Sequence, residues 1–192
     1  MRLLDCGYPL HYLDLEAPRE PIPRYPGMRP YDLLPFQFSC HVVEDPGAPL
    51  RHSEFLMTDH GDPRRPFAEA LLRCVGGSGS IIVYSGFEAK AIKALAGAEP
   101  DMAGELLALL PRIVDLLAII RKHYYHPGFR GSYSIKQVLP ALVPGLSYEG
   151  MEVADGMQAV MAWYEVMEGS LSEGERGRRE EELRDYCRLD TL

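Results

Sequence analysis

Two acidic residues, Asp14 and Glu16, lie close together in the short stretch Leu10–Glu16. Apolar and polar residues alternate in this stretch, and the alternation predicts a β-strand. Because successive side chains of a strand point to opposite faces, the two carboxylates share one face. At an effective dielectric constant of about 20, two unit charges ~4 Å apart repel each other by roughly 4 kcal/mol. A shared proton or a divalent cation would relieve this repulsion, although an exposed polar strand face has the same sequence pattern.

The composition is typical of a globular protein, with 192 residues, 46% of them hydrophobic and 25% charged. This length can bury a core without covalent cross-links, so we expect one domain over residues 1–192, excised from a longer protein with flanking domains. The four cysteines are scattered and form no C-x-x-C pair, which indicates reduced thiols in the cytoplasm. No apolar run approaches the length of a membrane span, so we predict no membrane association.

The formal net charge of -8 argues against a protein that coats nucleic acid through a basic stripe. It does not exclude a nuclease, since an acidic metal site adds negative charge and basic contacts can be local.

Hydrophobic periodicity predicts an α/β protein with the element order β-β-β-α-β-α followed by further helices. After the first strand, Phe36–Val43 and Arg51–Met57 are predicted to form an antiparallel pair around the Pro46-Gly47 turn. The continuous apolar run Ser80–Tyr84 is typical of a strand that is buried on both faces. Predicted helices cover 63–75, 102–110, 157–167 and 173–191, and others begin at Phe87 and Ser134. Residues 113–117 are predicted as a short strand or a helix start.

Further acidic residues follow these elements. Glu88 is predicted in the first helical turn after the Ser80–Tyr84 strand, where the helix dipole alone would favour a carboxylate. Asp115 lies in the 113–117 segment. In the last helix, Tyr186 and Asp190 are four residues apart and share one face, although Tyr186 could equally pack against the core.

Three cationic side chains are candidates for phosphate binding. Arg24 and Arg29 lie in a proline-rich segment, residues 17–35, which is expected to form an extended surface loop. There they could clamp phosphate oxygens or remain solvated. Lys136 is predicted in the first turn of a helix, where the exposed N–H groups could hold a phosphate together with its ammonium group.

Three motifs in this order resemble those of the DEDD-type 3′–5′ exonuclease superfamily, tyrosine variant, over nearly the whole chain. They are Asp14-x-Glu16, Tyr84-Ser85-Gly86-Phe87-Glu88 and Tyr186-x-x-x-Asp190. The chain departs from the pattern at two positions, because Ser85 replaces the usual Asn and Glu88 the usual Asp. The segments Pro-Arg-Tyr-Pro-Gly, Pro35–Ser39 and Ser134–Lys136 resemble an uncharacterised bacterial family of domains of unknown function within this superfamily.

The resemblance implies a ribonuclease-H-like fold, with a central mixed sheet of about five strands flanked by helices. It also implies a metal-dependent 3′–5′ exonuclease that hydrolyses DNA or RNA from a single-stranded end with two Mg²⁺ or Mn²⁺ ions. Asp14, Glu16 and Asp190 would hold the ions, Glu88 would assist the second ion, and Tyr186 would orient the attacking water. Ser85 would bind the substrate, and Asp115 would lie behind the metal ligands.

Two other functions fit the same residues. The chain could be a ribonuclease-H-like interaction module that has weak or no activity, as the departures at Ser85 and Glu88 and the acidic net charge would allow. It could also be a hydrolase of nucleotides or other small phosphoesters, which would need a narrow closed pocket in place of an open groove.

Overall fold

Five strands form one mixed sheet with helices on both faces in the computed structural model, which describes residues 5–148 and 150–192. This confirms the predicted α/β class, and the arrangement is consistent with a ribonuclease-H-like fold. The strands are β1 (Leu10–Glu16), β2 (Gln37–Val43), β3 (Arg51–Leu56), β4 (Ser80–Val83) and β5 (Ile113–Asp115). The helices are α1 (Arg64–Val75), α2 (Phe87–Ala98), α3 (Ala103–Leu109), α4 (Leu116–His123), α5 (Ile135–Leu142), α6 (Gly156–Glu168) and α7 (Glu173–Leu189).

The strand order is β3-β2-β1-β4-β5, so that β1 lies at the centre of the sheet. It pairs antiparallel with β2 and parallel with β4, and β5 continues the parallel half. The register places Asp14 opposite Ser39 and Glu16 opposite Gln37. The 113–117 segment was predicted as a short strand or a helix start, and it contains both, since β5 ends at Asp115 and α4 begins at the next residue.

The alternation in β1 separates its two faces as predicted. Leu13 and Leu15 are each only 2% exposed and belong to the core that α1, α2 and α3 cover. Asp14 and Glu16 point to the opposite face. Burying a leucine side chain contributes about 1.5–3 kcal/mol, so the two leucines fix which face the carboxylates occupy.

A second core lies on the carboxylate side of the sheet, where α6 and α7 pack. Phe36, just before β2, stacks on Trp163 of α6 with ring centroids 4.4 Å apart. The indole Nε1 of Trp163 donates a hydrogen bond to the carbonyl oxygen of Met57 at 2.8 Å. This packing brings the C-terminal helices over the face that carries the acidic residues.

Side chains of β2 hold the last helix against the sheet. Nε2 of Gln37 donates to the carbonyl oxygen of Leu183 at 2.6 Å. At the end of the chain, the hydroxyl of Thr191 lies 2.9 Å from the hydroxyl of Ser39 and 2.7 Å from Nδ1 of His41. These bonds are buried and fix the end of α7 beside β1.

No helix within residues 5–148 and 150–192 has both the length and the hydrophobicity to cross a bilayer.

Candidate metal centre

Three carboxylates from distant parts of the chain meet beside the central strand. Asp14 and Glu16 come from β1, and Asp190 is the residue that ends α7. One carboxylate oxygen from each lies within 4.8 Å of the others. The three residues that the sequence assigned to metal binding are therefore brought together.

The three carboxyl groups sit where negative charge is costly. Burial and the neighbouring Asp190 raise the pKa of Glu16 to about 8. Burial also raises the pKa of Asp190 to about 6. The pKa of Asp14 is raised well above its ordinary value by burial and by the carboxylates of Asp190 and Glu16. In the metal-free protein the cluster therefore retains protons that a bound cation would displace.

Glu88 is in the first turn of α2, as predicted, and its side chain is only 2% exposed. Burial, together with Asp115 and Asp190 nearby, raises its pKa to about 8. Its Oε2 is buried and accepts no hydrogen bond from any residue in the described ranges. Glu88 is not among the three closely spaced carboxylates, but it contributes to the same negative field.

Asp115 caps α4, because its side chain accepts a hydrogen bond from the backbone N–H of Ala118 at 3.2 Å.

Ser85, between β4 and α2, has a backbone conformation that L-amino acids rarely adopt, with a φ of 145°. Its hydroxyl accepts a hydrogen bond from the backbone N–H of Phe87 at 3.1 Å. The hydroxyl thus helps to turn the chain into α2, and hence to place Glu88. Backbone strain of this kind costs about 1–3 kcal/mol and is concentrated at functional sites.

Two tyrosines lie against the carboxylates, although the sequence indicated only one. Tyr186 is 3% exposed, and the pKa of its phenol is raised by burial and by Glu16, Asp190 and Asp14. Tyr148 precedes α6, and its hydroxyl donates a hydrogen bond to Oδ1 of Asp190. The two rings are 6.4 Å apart between centroids. Tyr148 lies in an irregular segment after α5, where no periodicity signals its position.

Lys136 brings a positive charge to the same place. Its Nζ lies 5.7 Å from the ring centroid of Tyr148 and 5.6 Å from that of Tyr186. The ammonium group donates to the carbonyl oxygen of Ala154, and its charge offsets part of the rise in the pKa of Glu16. The sequence predicted Lys136 at a helix start, and the structure places it there beside the acidic cluster.

Two further residues contact the cluster without having been predicted. The thiol of Cys187 lies 3.4 Å from Oδ2 of Asp14 and is buried. Gly156 begins α6 so close to Glu16 that a Cβ atom there would lie 3.3 Å from Oε2. A helix start presents free N–H groups and a positive dipole end, which favours a carboxylate at this position. Neither residue belongs to a recognisable motif.

The two loop arginines have other contacts. Nε of Arg24 donates to Oε2 of Glu20 at 2.6 Å, and the guanidinium group lies 4.1 Å from the ring centroid of Tyr164. Arg29 lines a cleft of about 310 Å³ with Arg64 and Lys93, and this cleft contains none of the clustered acids. Phosphate binding by these two arginines stays a prediction from the sequence.

The donor set fits a hard divalent cation. Mg²⁺ and Mn²⁺ prefer oxygen ligands, and three carboxylates converge within a few ångströms. The unpartnered Oε2 of Glu88 is an additional buried oxygen next to them. The residues present are therefore suited to hold such ions.

Comparison with known proteins identifies the family. The model of a family described as Domain of unknown function (DUF2779) matches residues 11–134. The chain belongs to this family. No curated protein and no solved structure matches the chain.

The family match covers only part of the candidate metal centre. Asp14, Glu16, Ser85 and Glu88 lie inside the matched residues. The residues of the centre that lie beyond the match include Lys136, Tyr148, Tyr186 and Asp190. The family's description assigns no activity, so function has to be argued from the geometry.

Proposed function

We propose that the protein is a metal-dependent nuclease of the DEDD type that hydrolyses phosphodiester bonds from the 3′ end of single-stranded DNA or RNA. The observation that carries this proposal is the convergence of Asp14, Glu16 and Asp190 within 4.8 Å, on elements in the order that the motif resemblance implies.

Asp14, Glu16 and Asp190 would hold two divalent ions, with Glu88 completing the negative field from α2. Such ions, when bound, activate a water molecule and neutralise the charge that develops on the phosphate and on the leaving oxygen. The carboxylates' raised pKa values describe the metal-free protein, since a nearby cation favours the ionised form.

The remaining side chains would position the reactants. The Tyr186 phenol is buried and lies in the electrostatic field of Glu16, Asp190 and Asp14, where it could orient the attacking water by a hydrogen bond. Tyr148 holds Asp190 through its hydroxyl. The Lys136 ammonium group can bind a phosphate oxygen at the edge of the cluster, as a point charge with three rotatable donors.

The surroundings of the site favour a polymer over a small phosphoester. Two clefts of about 510 Å³ and 590 Å³ lie on either side of the start of α5, next to Lys136 and Tyr84. Both clefts are open to solvent, and neither is lined by Asp14, Glu16 or Asp190. A hydrolase of free nucleotides would instead need a narrow closed pocket.

The experiment is digestion of 5′-labelled single-stranded DNA and RNA oligonucleotides with and without millimolar Mn²⁺. Wild type should produce a ladder that shortens from the 3′ end only with metal. Asp14→Asn should abolish it, and Asp45→Asn, at an exposed position in the turn after β2, should not. Intact oligonucleotides with wild type and Mn²⁺ would contradict the proposed activity and favour an interaction module.

A further inference from the structure

The segment from α4 to Tyr148 differs in charge from the rest of this acidic protein. Residues 116–148 contain no aspartate or glutamate, whereas the whole chain has a net charge of -8. The cationic residues in the segment are Arg121, Lys122, Arg130 and Lys136. The structure places all four around the two clefts or on the adjoining last turn of α4.

These cations are available to a partner. Arg121, Lys122 and Arg130 are exposed, and no ion pair within the described ranges includes any of them. Some exposed arginines elsewhere are engaged, since Arg51 pairs with Glu44 and Arg65 pairs with Glu99 and Asp101. Others, such as Arg73 and Arg178, form no ion pair within the described ranges either. The 116–148 segment differs because no carboxylate lies among its unpaired cations, and it adjoins the candidate metal centre through Lys136 and Tyr148.

Exposed aromatic rings accompany the cations. Tyr124 is 49% exposed and Tyr125 is 60% exposed. Both rings pack at 6.1 Å from Phe129, which is fully buried. Tyr133 packs at 5.8 Å from the same ring. Phe129 thus holds the tyrosines in place, so a partner that stacks on them would lose little conformational entropy.

The clefts adjoin residues that contact the carboxylates or lead to them. The cleft of about 510 Å³ is lined by Arg130, Lys136 and Tyr148, and the Tyr148 hydroxyl bonds to Asp190. The cleft of about 590 Å³ is lined by Arg121, Tyr133 and Tyr84, and Tyr84 directly follows β4, in the turn that leads to Glu88. Neither cleft is lined by a clustered carboxylate, but each is lined by a tyrosine that contacts the cluster or lies in the turn to Glu88.

We infer that the surface formed by Arg121, Tyr124, Tyr125, Arg130 and Lys136 binds single-stranded nucleic acid and leads it to the carboxylates. Single strands are bound without sequence preference by basic grooves that carry aromatic rings for base stacking. This inference rests on the proposed function for its direction toward the site, and it places the substrate path along α4 and α5 in place of the Arg24–Arg29 loop.

The test measures binding and cleavage separately. Fluorescence anisotropy of labelled single-stranded oligonucleotides of about 20 nucleotides, as poly(dT) and poly(U), gives affinity in EDTA over a salt series. The variants are Arg121→Ala/Arg130→Ala and Tyr124→Ala/Tyr125→Ala. The matched control is Arg73→Ala/Arg178→Ala, which removes the same charge from two exposed arginines outside the 116–148 segment.

The Arg121→Ala/Arg130→Ala variant, which removes two phosphate contacts, should lower the slope of log affinity against log salt concentration by about 1.4. The Tyr124→Ala/Tyr125→Ala variant should weaken binding about 5-fold or more without changing that slope. The Arg73→Ala/Arg178→Ala control should bind as wild type does. The inference is overturned if wild type binds neither oligonucleotide, or if the control loses as much affinity as the α4–α5 variants.

Cleavage by the same proteins in Mn²⁺ separates this inference from the proposed function. Binding that depends on the α4–α5 surface, without any cleavage, would support the surface and contradict the nuclease. Cleavage that is unchanged in both α4–α5 variants would support the nuclease and overturn the surface.

Discussion

The hydroxyl of Tyr148 donates a hydrogen bond to Oδ1 of Asp190, across 42 residues of sequence. A donor on this oxygen fixes the orientation of the carboxylate and leaves its other oxygen for a cation. Partners that orient metal ligands in this way typically account for 10–100-fold in metal affinity or activity. Tyr148 is therefore as much a part of the candidate metal centre as the residues of the three motifs.

Tyr148→Phe should weaken Mn²⁺ binding about 10-fold or more, because it removes only the hydroxyl that holds Asp190. The loss of one hydrogen bond should lower the free energy of unfolding by about 1–3 kcal/mol, since the acceptor is a carboxylate. Isothermal titration with Mn²⁺ measures the first effect and chemical denaturation the second. Tyr31→Phe, at an exposed residue, is the control. Equal Mn²⁺ affinity in Tyr148→Phe and wild type would show that the bond does not orient the ligand.

Tyr186→Phe should separate the two interpretations of that residue. A water-orienting role predicts a kcat lower by ~10²-fold with Mn²⁺ affinity unchanged. A packing role predicts a loss of only about 1 kcal/mol in the free energy of unfolding and a normal rate. Steady-state cleavage of an oligonucleotide decides between them. A variant as fast as wild type would remove Tyr186 from the mechanism.

Gly156→Ala should disturb Glu16, because the new Cβ would lie 3.3 Å from its Oε2 and the carboxylate would have to move. We expect weaker Mn²⁺ binding, measured by titration. Gly174→Ala provides the control, since Gly174 also lies in the first turn of a helix but has no atom within 4 Å of the added Cβ. That change should leave Mn²⁺ affinity unaltered and stabilise the helix by up to about 1 kcal/mol. If both variants bind Mn²⁺ like wild type, the close approach of α6 is not needed for the site.

His41 should make the fold sensitive to acid. Burial lowers its pKa to about 4, with the neighbouring His52 and Arg188 adding to the effect, while its ring bonds to Thr191. Because the folded pKa lies below the unfolded value near 6.5, the unfolded chain binds the proton first as the pH falls. The contribution to stability is complete above pH ~6.5 and is lost as the pH falls toward 4.

The comparison that checks this is the free energy of unfolding of wild type and His41→Asn between pH 7 and about 4.5. We expect a smaller loss in the variant, because it lacks this proton-binding site. His60→Asn, at an exposed histidine, should follow the wild-type curve. Parallel curves for wild type and His41→Asn would contradict the assignment.

Local pattern was sufficient to predict most of the fold. The alternation in Leu10–Glu16 correctly placed Asp14 and Glu16 on one face of a strand, and the apolar run Ser80–Tyr84 was correctly predicted to be a buried strand. The four-residue spacing correctly placed Tyr186 on the last helix, whereas Asp190, predicted on the same helix, is the capping residue just after its end at Leu189. The position of the end of this helix beside β1 depends on hydrogen bonds between Thr191 and both Ser39 and His41, which no local sequence pattern predicts.

The parts of the site that the sequence missed come from irregular or long-range structure. Tyr148 lies in a segment without periodicity, and Cys187 approaches Asp14 only because α7 packs on β1. The pairing of Arg24 with Glu20 depends on the path of a proline-rich loop, which propensities do not specify. The charge contrast of residues 116–148 is visible in the sequence, but its position beside the acidic cluster is not.

The central claim is that Asp14, Glu16 and Asp190 hold divalent metal, and electron paramagnetic resonance of free Mn²⁺ during titration measures this directly. Wild type should take up Mn²⁺ in the micromolar to millimolar range, Asp14→Asn and Asp190→Asn should lose that uptake, and Asp45→Asn should retain it. No uptake by wild type, or the same uptake by Asp14→Asn, would contradict the account.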